Sequence, residues 1–424
     1  MTLEAQGRRH RHRDRVATPV RWLMLVICLL LGGRLLADGL ADHLAGSNPG
    51  LALALAPWHV PARVAQVRMD LRRDAPAVPE IIAEVGAILR ADPLAPSAFA
   101  LLAQAREAQG DPEAALTAWG LAARVWLRDG VAQAVMLERA LVSGEVGPAL
   151  DRLDILLRGD PSTGFWLLRR LTPLLSEGRF LDALTRRLEA SPPWRSVALR
   201  QLAQNAPSLD PVMALYRRLQ GGSAPPGEAE LRPLLARMVA EGRYEEAYLS
   251  WLESGPRDQR PPGEWLYNAQ FQAAVSNMPF DWTFEPNPGA LMQVDRSGPR
   301  RRLSVDFFGS RNAFANVSQW LLLPPGTYVL SGLEMAQGLL SDRGVRWRVA
   351  CAGDLAGELA VTPSLSGTVD WRPFSVSFVV GPACRAQRLV LEVPARVVLE
   401  RVISGRAAFG QLSLRALALP PGKP

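Results

Sequence analysis

The chain has 424 residues, beyond the size at which a single hydrophobic core keeps growing, so two or three domains are expected. With 48% hydrophobic and 21% charged residues it has the composition of folded protein, which excludes disorder along its whole length. The net charge of +7 comes from arginines spread along the sequence, Lys423 being the one lysine, and this even spread gives no reason to expect a nucleic-acid partner.

The one concentrated basic run is Arg8, Arg9, Arg11, Arg13 and Arg15, interleaved with His10 and His12. Directly after it comes the apolar stretch Val20 to Leu36. A basic flank before an apolar segment is the layout of a signal peptide or signal anchor, with the positive flank kept in the cytoplasm. Residues 1–19 are therefore read as a basic cytoplasmic tail, 20–37 as a transmembrane signal anchor and 38–61 as a juxtamembrane helical segment. The expected location is the bacterial inner membrane, single-pass, with the bulk of the chain periplasmic. The alternative is cleavage, since the unbroken apolar core also suits a signal peptide and a spanning helix wants ~20 residues. Cys28 follows Leu25, Val26 and Ile27 rather than small residues, so it is a poor lipoprotein cleavage site.

From 62 to 256 the sequence carries a register of 34 residues. Gly110, Gly144 and Gly178 keep that spacing, as do Ala115, Ala149 and Ala183, and Gly242 with Ala247 repeats the internal offset. The clearest unit reads Phe99, Leu102, Ala103, then Gly110, Asp111, Pro112, then Ala115, Trp119, Ala122. Small side chains at that spacing let two helices cross closely, while a glycine can end the first helix and a proline open the second. This pattern resembles the tetratricopeptide repeat family, although Arg106 stands where that family usually has Tyr. The resemblance implies an all-α solenoid of about five helix pairs whose concave face takes a protein partner. The plainer reading is a spacer between the membrane and the C-terminal part of the chain.

Residues 257–264 read as a linker, with Arg260, Pro261, Pro262 and Gly263 at its centre. Beyond it, helical periodicity gives way to short apolar runs between Gly and Pro: 303–308, 316–323, 327–333, 345–351, 374–380, 388–393 and 407–414. Many short strands with turn chemistry between them indicate an antiparallel β-sandwich over 265–416, followed by a tail at 417–424. Pro324, Pro325 and Gly326 make a tight turn before Tyr328. Cys351 and Cys384 both come after the expected export signal, and in an oxidising compartment such a pair is most simply one disulfide.

Tyr267, Asn268 and Phe271 with Pro279, Phe280, Asp281 and Trp282 open this region; Ser318 to Leu330 contains a Gln, alternating apolar residues and Pro-Gly-x-Tyr; Ser404 to Leu414 closes it. These segments resemble jelly-roll carbohydrate-binding modules of the galactose-binding-like type. Gly410 occupies a place where such modules often have Asp, which speaks against a calcium-dependent variant, and no cofactor or metal is expected. The resemblance implies a glycan ligand. Sugar rings need exposed aromatic faces beside polar groups, which makes Trp320, Gln319, Trp282 and Trp371 the candidates, with Trp320 preferred because alternation points it away from Leu321 and Leu323.

Catalysis is not expected. The four histidines, His10, His12, His43 and His59, all lie in the export and anchor region, so a His-based triad is nearly excluded. A carboxylate pair among Asp281, Glu285, Asp295, Asp306, Glu334 and Asp370 would be the enzymatic alternative, but nothing in their spacing selects two of them. The leading expectation is a membrane-anchored periplasmic scaffold of cell-envelope or exopolysaccharide biology, its repeats holding a protein and its sandwich a glycan. A pure protein-interaction module is the first alternative.

Overall fold

The computed structural model describes residues 4–73, 76–255, 263–298, 300–311, 313–353 and 357–417. Most of the linker at 257–264 and of the tail at 417–424 lies outside the described residues, as do the side chains of the basic run Arg8 to Arg15. Among the described residues fourteen α-helices are followed by two antiparallel sheets, and the chain divides into two compact units, 1–167 and 168–424.

In the first unit, α1 (Glu4–Ala45) contains the one helix segment among the described residues that is long and apolar enough to cross a membrane, Trp22–Ala45. Its large side chains from Trp22 to Leu36 are exposed. At its end α1 packs on protein: Ala41 and Ala45 meet Ala52 of α2 (Pro49–Leu55), Ala56 just after it and Ala62 of α3 (Val60–Asp70). At this junction Trp58 Nε1 donates to Asp38 (2.8 Å), Arg34 lies over the Trp58 ring, and the His59 ring bonds Asp42.

Beyond α4 (Val78–Ala91), the helices come as hairpins: α5 (Ala98–Gln109) with α6 (Pro112–Val125), and α7 (Gly130–Val142) with α8 (Val146–Gly159). Gly110 takes φ +84° and caps α5, its N–H reaching back to Arg106, while Asp111 caps α6 by accepting from Ala114 N (3.1 Å). Ala103, Trp119 and Ala122 are buried where the helices cross, and Trp119 Nε1 donates to Glu107 (2.8 Å) across the hairpin. Gly144 and Gly242 also have positive φ, and Ala115, Ala149 and Ala247 are buried. Around Gly178 the 34-residue register does not mark a helix end: α9 (Pro161–Arg170) leads into a 3-10 turn (Thr172–Ser176), so Gly178 opens α10 (Gly178–Glu189) instead of ending a helix. Phe180 and Leu184, not Ala183, supply the buried face there.

The second unit joins the later helices to the β-structure. Its helices are α10, α11 (Arg195–Asn205), α12 (Asp210–Gln220), α13 (Glu228–Ala240) and α14 (Tyr244–Ser254). A buried Arg195 is held by Glu230 (3.0 Å) and by the carbonyls of Leu188 and Ala224, while Ser196 Oγ donates to the same carboxylate (2.6 Å). Burial pushes the Glu230 carboxyl up, but the hydrogen bonds from Arg195 and Ser196 outweigh it and hold it below the ordinary value.

Among the described residues the β-structure has ten strands in two five-stranded antiparallel sheets. They are β1 (Thr283–Phe284), β2 (Ala290–Asp295), β3 (Arg302–Arg311), β4 (Val317–Leu321), β5 (Gly326–Ser341), β6 (Arg346–Cys351), β7 (Glu358–Val361), β8 (Gly367–Val380), β9 (Gln387–Glu392) and β10 (Val402–Ala416). One sheet runs β2-β3-β10-β5-β8 and the other β1-β4-β9-β6-β7. Inward residues of both sheets share one core, through which Phe271, Trp282, Trp347 and Phe409 succeed one another at centroid spacings of 5.2, 5.7 and 5.4 Å. Cys351 and Cys384 form a disulfide, and Tyr328 folds back after the Pro-Pro-Gly turn to donate its hydroxyl to Pro324 O (2.8 Å). All seven strands expected from sequence are present; β1, β2 and β7 are additional.

Candidate functional site

The four aromatic and amide candidates separate. Trp282 is 0% exposed and its Nε1 donates to Asn268 O (3.1 Å), so the expectation of a sugar platform there is corrected: it is a core residue with no face open to a ligand. Gln319 is buried as well. Its side-chain amide accepts from Tyr267 N (2.9 Å) and donates to Tyr267 O (3.0 Å), fastening the opening segment to β4.

Trp320 does point outward from its sheet, as alternation requires, but its ring is occupied. Tyr244 from the first turn of α14 stacks on it with centroids 5.5 Å apart and planes inclined by 29°, and Arg388 of β9 lies 5.8 Å from its centroid. Further along α14, Tyr248 meets Phe280 and Trp251 meets Tyr267 edge to face. Arg232 of α13 donates to Ser276 O (2.7 Å), and Arg385 pairs with Glu245 (2.8 Å). The outer face of this sheet is thus where the sandwich holds the last helices.

Trp371 lies on the outer face of the other sheet and is 39% exposed. Pairing across β3, β10 and β5 puts Ser304, Ala408 and Met335 in one row, and Gly410 beside Leu333 in the next. Gly410 has no side chain to lift the indole: a Cβ there would stand 4.0 Å from two Trp371 ring carbons and 3.6 Å from Arg302 Cβ. The result is an aromatic ring lying over Gly410, with Ser304 and Ala408 as small neighbours in the adjoining row.

Polar groups border this face. Arg302, 5.8 Å from the Trp371 centroid, is paired with Asp295 (2.7 Å), while Gln293 is exposed on β2. Hydrogen bonds from Ser297, and then from Arg302, hold the Asp295 carboxyl well below the usual carboxylate range. Asp306 of β3 pairs with Arg406 of β10, which raises the guanidinium further above its ordinary value. These fixed charges can donate to and accept from hydroxyl groups laid along the face. Arg302, Gln293 and Arg406 are not among the sequence candidates, and Asp306 is there only as one of the carboxylates weighed for catalysis. The signal was present in Arg302, Ser304 and Asp306, which share one parity on β3, but it could not be linked to Trp371 without the strand order.

The carboxylates weighed for catalysis are dispersed among other tasks. Glu334 points into the sandwich beside Arg372 (2.8 Å); burial pushes its carboxyl up and the guanidinium opposes this. Asp281 is buried, which raises its carboxyl, with Oδ2 accepting from Ser276 N and Oγ. Glu285 pairs with Arg388. Among the described residues no group of three or more His, Cys, Asp or Glu could hold a metal.

No protein-family model matches the chain, and no curated protein matches it. Solved structures similar to it include a CBM4 structure (14% identity, TM-score 0.28, covering 36% of this chain and 99% of that one). Two others are TmCBM61 in complex with β-1,4-galactotriose (15%, 0.24, 36% and 99%) and the xylan-binding domain from CBM22 (11%, 0.27, 38% and 99%). Each covers little more than a third of this chain. The β-sandwich is defined by its own strand order and register.

Proposed function

We propose that the sandwich binds glycan on the outer face of the sheet β2-β3-β10-β5-β8, with Trp371 as the platform. The observation that carries this reading is the half-open indole of Trp371 lying against Gly410, with Arg302 beside it. A pyranose presents an apolar face to such a ring and hydroxyls to the flanking charges. The other sheet supports the same assignment by exclusion, since Trp320 is already covered by Tyr244.

The rest of the chain suits a scaffold. Hairpins turned at Gly110, Gly144 and Gly242 with alanines at the crossings favour a tetratricopeptide-like stack able to hold a protein partner. The exposed apolar segment of α1 favours a membrane anchor with the remainder of the chain exported. The protein itself performs no catalysis in this reading; the carboxylates are structural.

The test is titration of the full chain, held in detergent, with β-1,4-galactotriose and xylan oligosaccharides, the glycans named with similar structures, together with bacterial exopolysaccharide fragments. Binding that disappears in Trp371→Ala but survives in Trp320→Ala is the expected result. Binding that is indifferent to Trp371 would move the site elsewhere. A second reading, in which the sandwich only caps the helices, is favoured by the aromatic contact of Tyr244, Tyr248 and Trp251 with it, and an absence of binding to every glycan would select it.

A further inference from the structure

At one end of the sheet β2-β3-β10-β5-β8, register places Phe308 and Leu340 on either side of Ser404 in a single row. Both point out of the sheet, and they are 62% and 69% exposed. Val402 continues the face beside Arg311, and the segment before it, with a short 3-10 turn (Val398–Arg401), carries Val397, Val398 and Leu399 equally open, Leu399 at 68%. Scattered exposed apolar side chains are ordinary, but six large ones gathered at one tip are what an interaction surface looks like.

Charge indicates what covers it. The segments that form this tip contain Arg311, Arg343, Arg396 and Arg401 against Asp342 and Glu400. Glu400 is bonded by the Arg343 guanidinium and accepts from Arg396 N (2.8 Å), and its carboxyl is lowered to about 2, first by Arg343. Among the described residues Arg311, Arg396 and Arg401 have no carboxylate ion-pair partner, which leaves three cations against Asp342. Apolar side chains ringed by uncompensated arginines suit the interface of a bilayer, where the apolar groups enter the headgroup boundary and the cations meet lipid phosphates. An apolar protein groove would leave those arginines facing apolar or cationic surface unless it were acidic.

We propose that this tip, Phe308, Leu340, Val397 to Leu399 and Val402 with Arg311, Arg396 and Arg401, docks on an anionic lipid surface. It lies on the same outer sheet face as Trp371, with Ser404 six positions along β10 from Gly410.

The experiment uses the full chain with Cys28→Ser and Leu399→Cys, labelled with an environment-sensitive fluorophore under non-reducing conditions so that the Cys351–Cys384 disulfide stays closed, and reconstituted into vesicles. A second version carries the label at Val379, exposed at the opposite end of the same sheet face. In vesicles with about one third phosphatidylglycerol the label at 399 should blue-shift and be quenched by doxyl lipids, and the label at 379 should not. The effect should fall several-fold in neutral phosphatidylcholine, at high salt and in the Arg396→Glu, Arg401→Glu variant. Identical spectra at 399 and 379 in anionic vesicles would overturn the proposal. So would a shift at 399 that tracks protein concentration in detergent without lipid, which would assign the tip to a second copy of the chain.

Discussion

The Tyr244 ring is stacked on Trp320, centroids 5.5 Å apart, so the aromatic residue that sequence alternation singles out as a sugar platform is already paired with a helix of the same chain. Trp320→Ala should therefore lower stability and spare glycan binding. Loss of the stacked pair and of part of the buried indole costs about 1–3 kcal/mol. Thermal melting together with glycan titration of this variant separates the two effects.

At the other sheet the dependence reverses. Trp371 is 39% exposed and packs against a glycine, so Trp371→Ala should leave the sandwich folded at a cost of about 1–2 kcal/mol for the covered part of the indole, while glycan affinity falls at least tenfold, about 1.4 kcal/mol. Gly410→Ala should be tolerated, because its methyl meets Trp371 and Arg302 at ordinary contact distances, whereas Gly410→Val should displace the indole and weaken binding without unfolding the sandwich. Calorimetric titration of the three variants checks this order.

What could be read from the sequence depends on the range of the interactions involved. Gly110, Asp111 and Pro112 act on their own neighbours, so the turn between α5 and α6 is legible from them alone. The Pro324, Pro325, Gly326 and Tyr328 turn is equally local. Alternation correctly turns Trp320 away from the core, yet it carries no information about Tyr244, which lies 76 positions earlier in the chain. Trp282 is a similar case, since nothing local distinguishes a tryptophan in the core from one on a platform. The Trp371 site depends on β10 lying between β3 and β5, and that order is a property of the folded sheet. Gly178 fails for the opposite reason: a spacing of 34 is real in the sequence, but the 3-10 turn at Thr172–Ser176 replaces the helix end that the spacing implies.

The Cys351–Cys384 disulfide joins the end of β6 to the approach to β9. Replacing both cysteines by serine should destabilise the chain by about 2–5 kcal/mol. Reductant should shift the melting temperature of the unaltered protein in the same direction and have no further effect on the double variant.

Glu230 links α13 to Arg195 and Ser196 of α11, and its carboxyl lies below the ordinary glutamate value of 4.5. A depressed carboxylate stabilises the fold above the unfolded value and loses that contribution as the pH falls through the folded one. The chain should thus be stable to denaturant at neutral pH and weaken progressively as the pH drops below 4.5. Glu230→Gln should cost roughly 3 kcal/mol or more at neutral pH, since Arg195 would keep its burial and lose its countercharge. The gap between the variant and the unaltered protein should then narrow in acid, where protonation of Glu230 removes the same charge. Denaturant melts of both proteins across that pH range make the comparison, and a gap that stays constant with pH would assign the contribution of Glu230 to packing instead of to its charge.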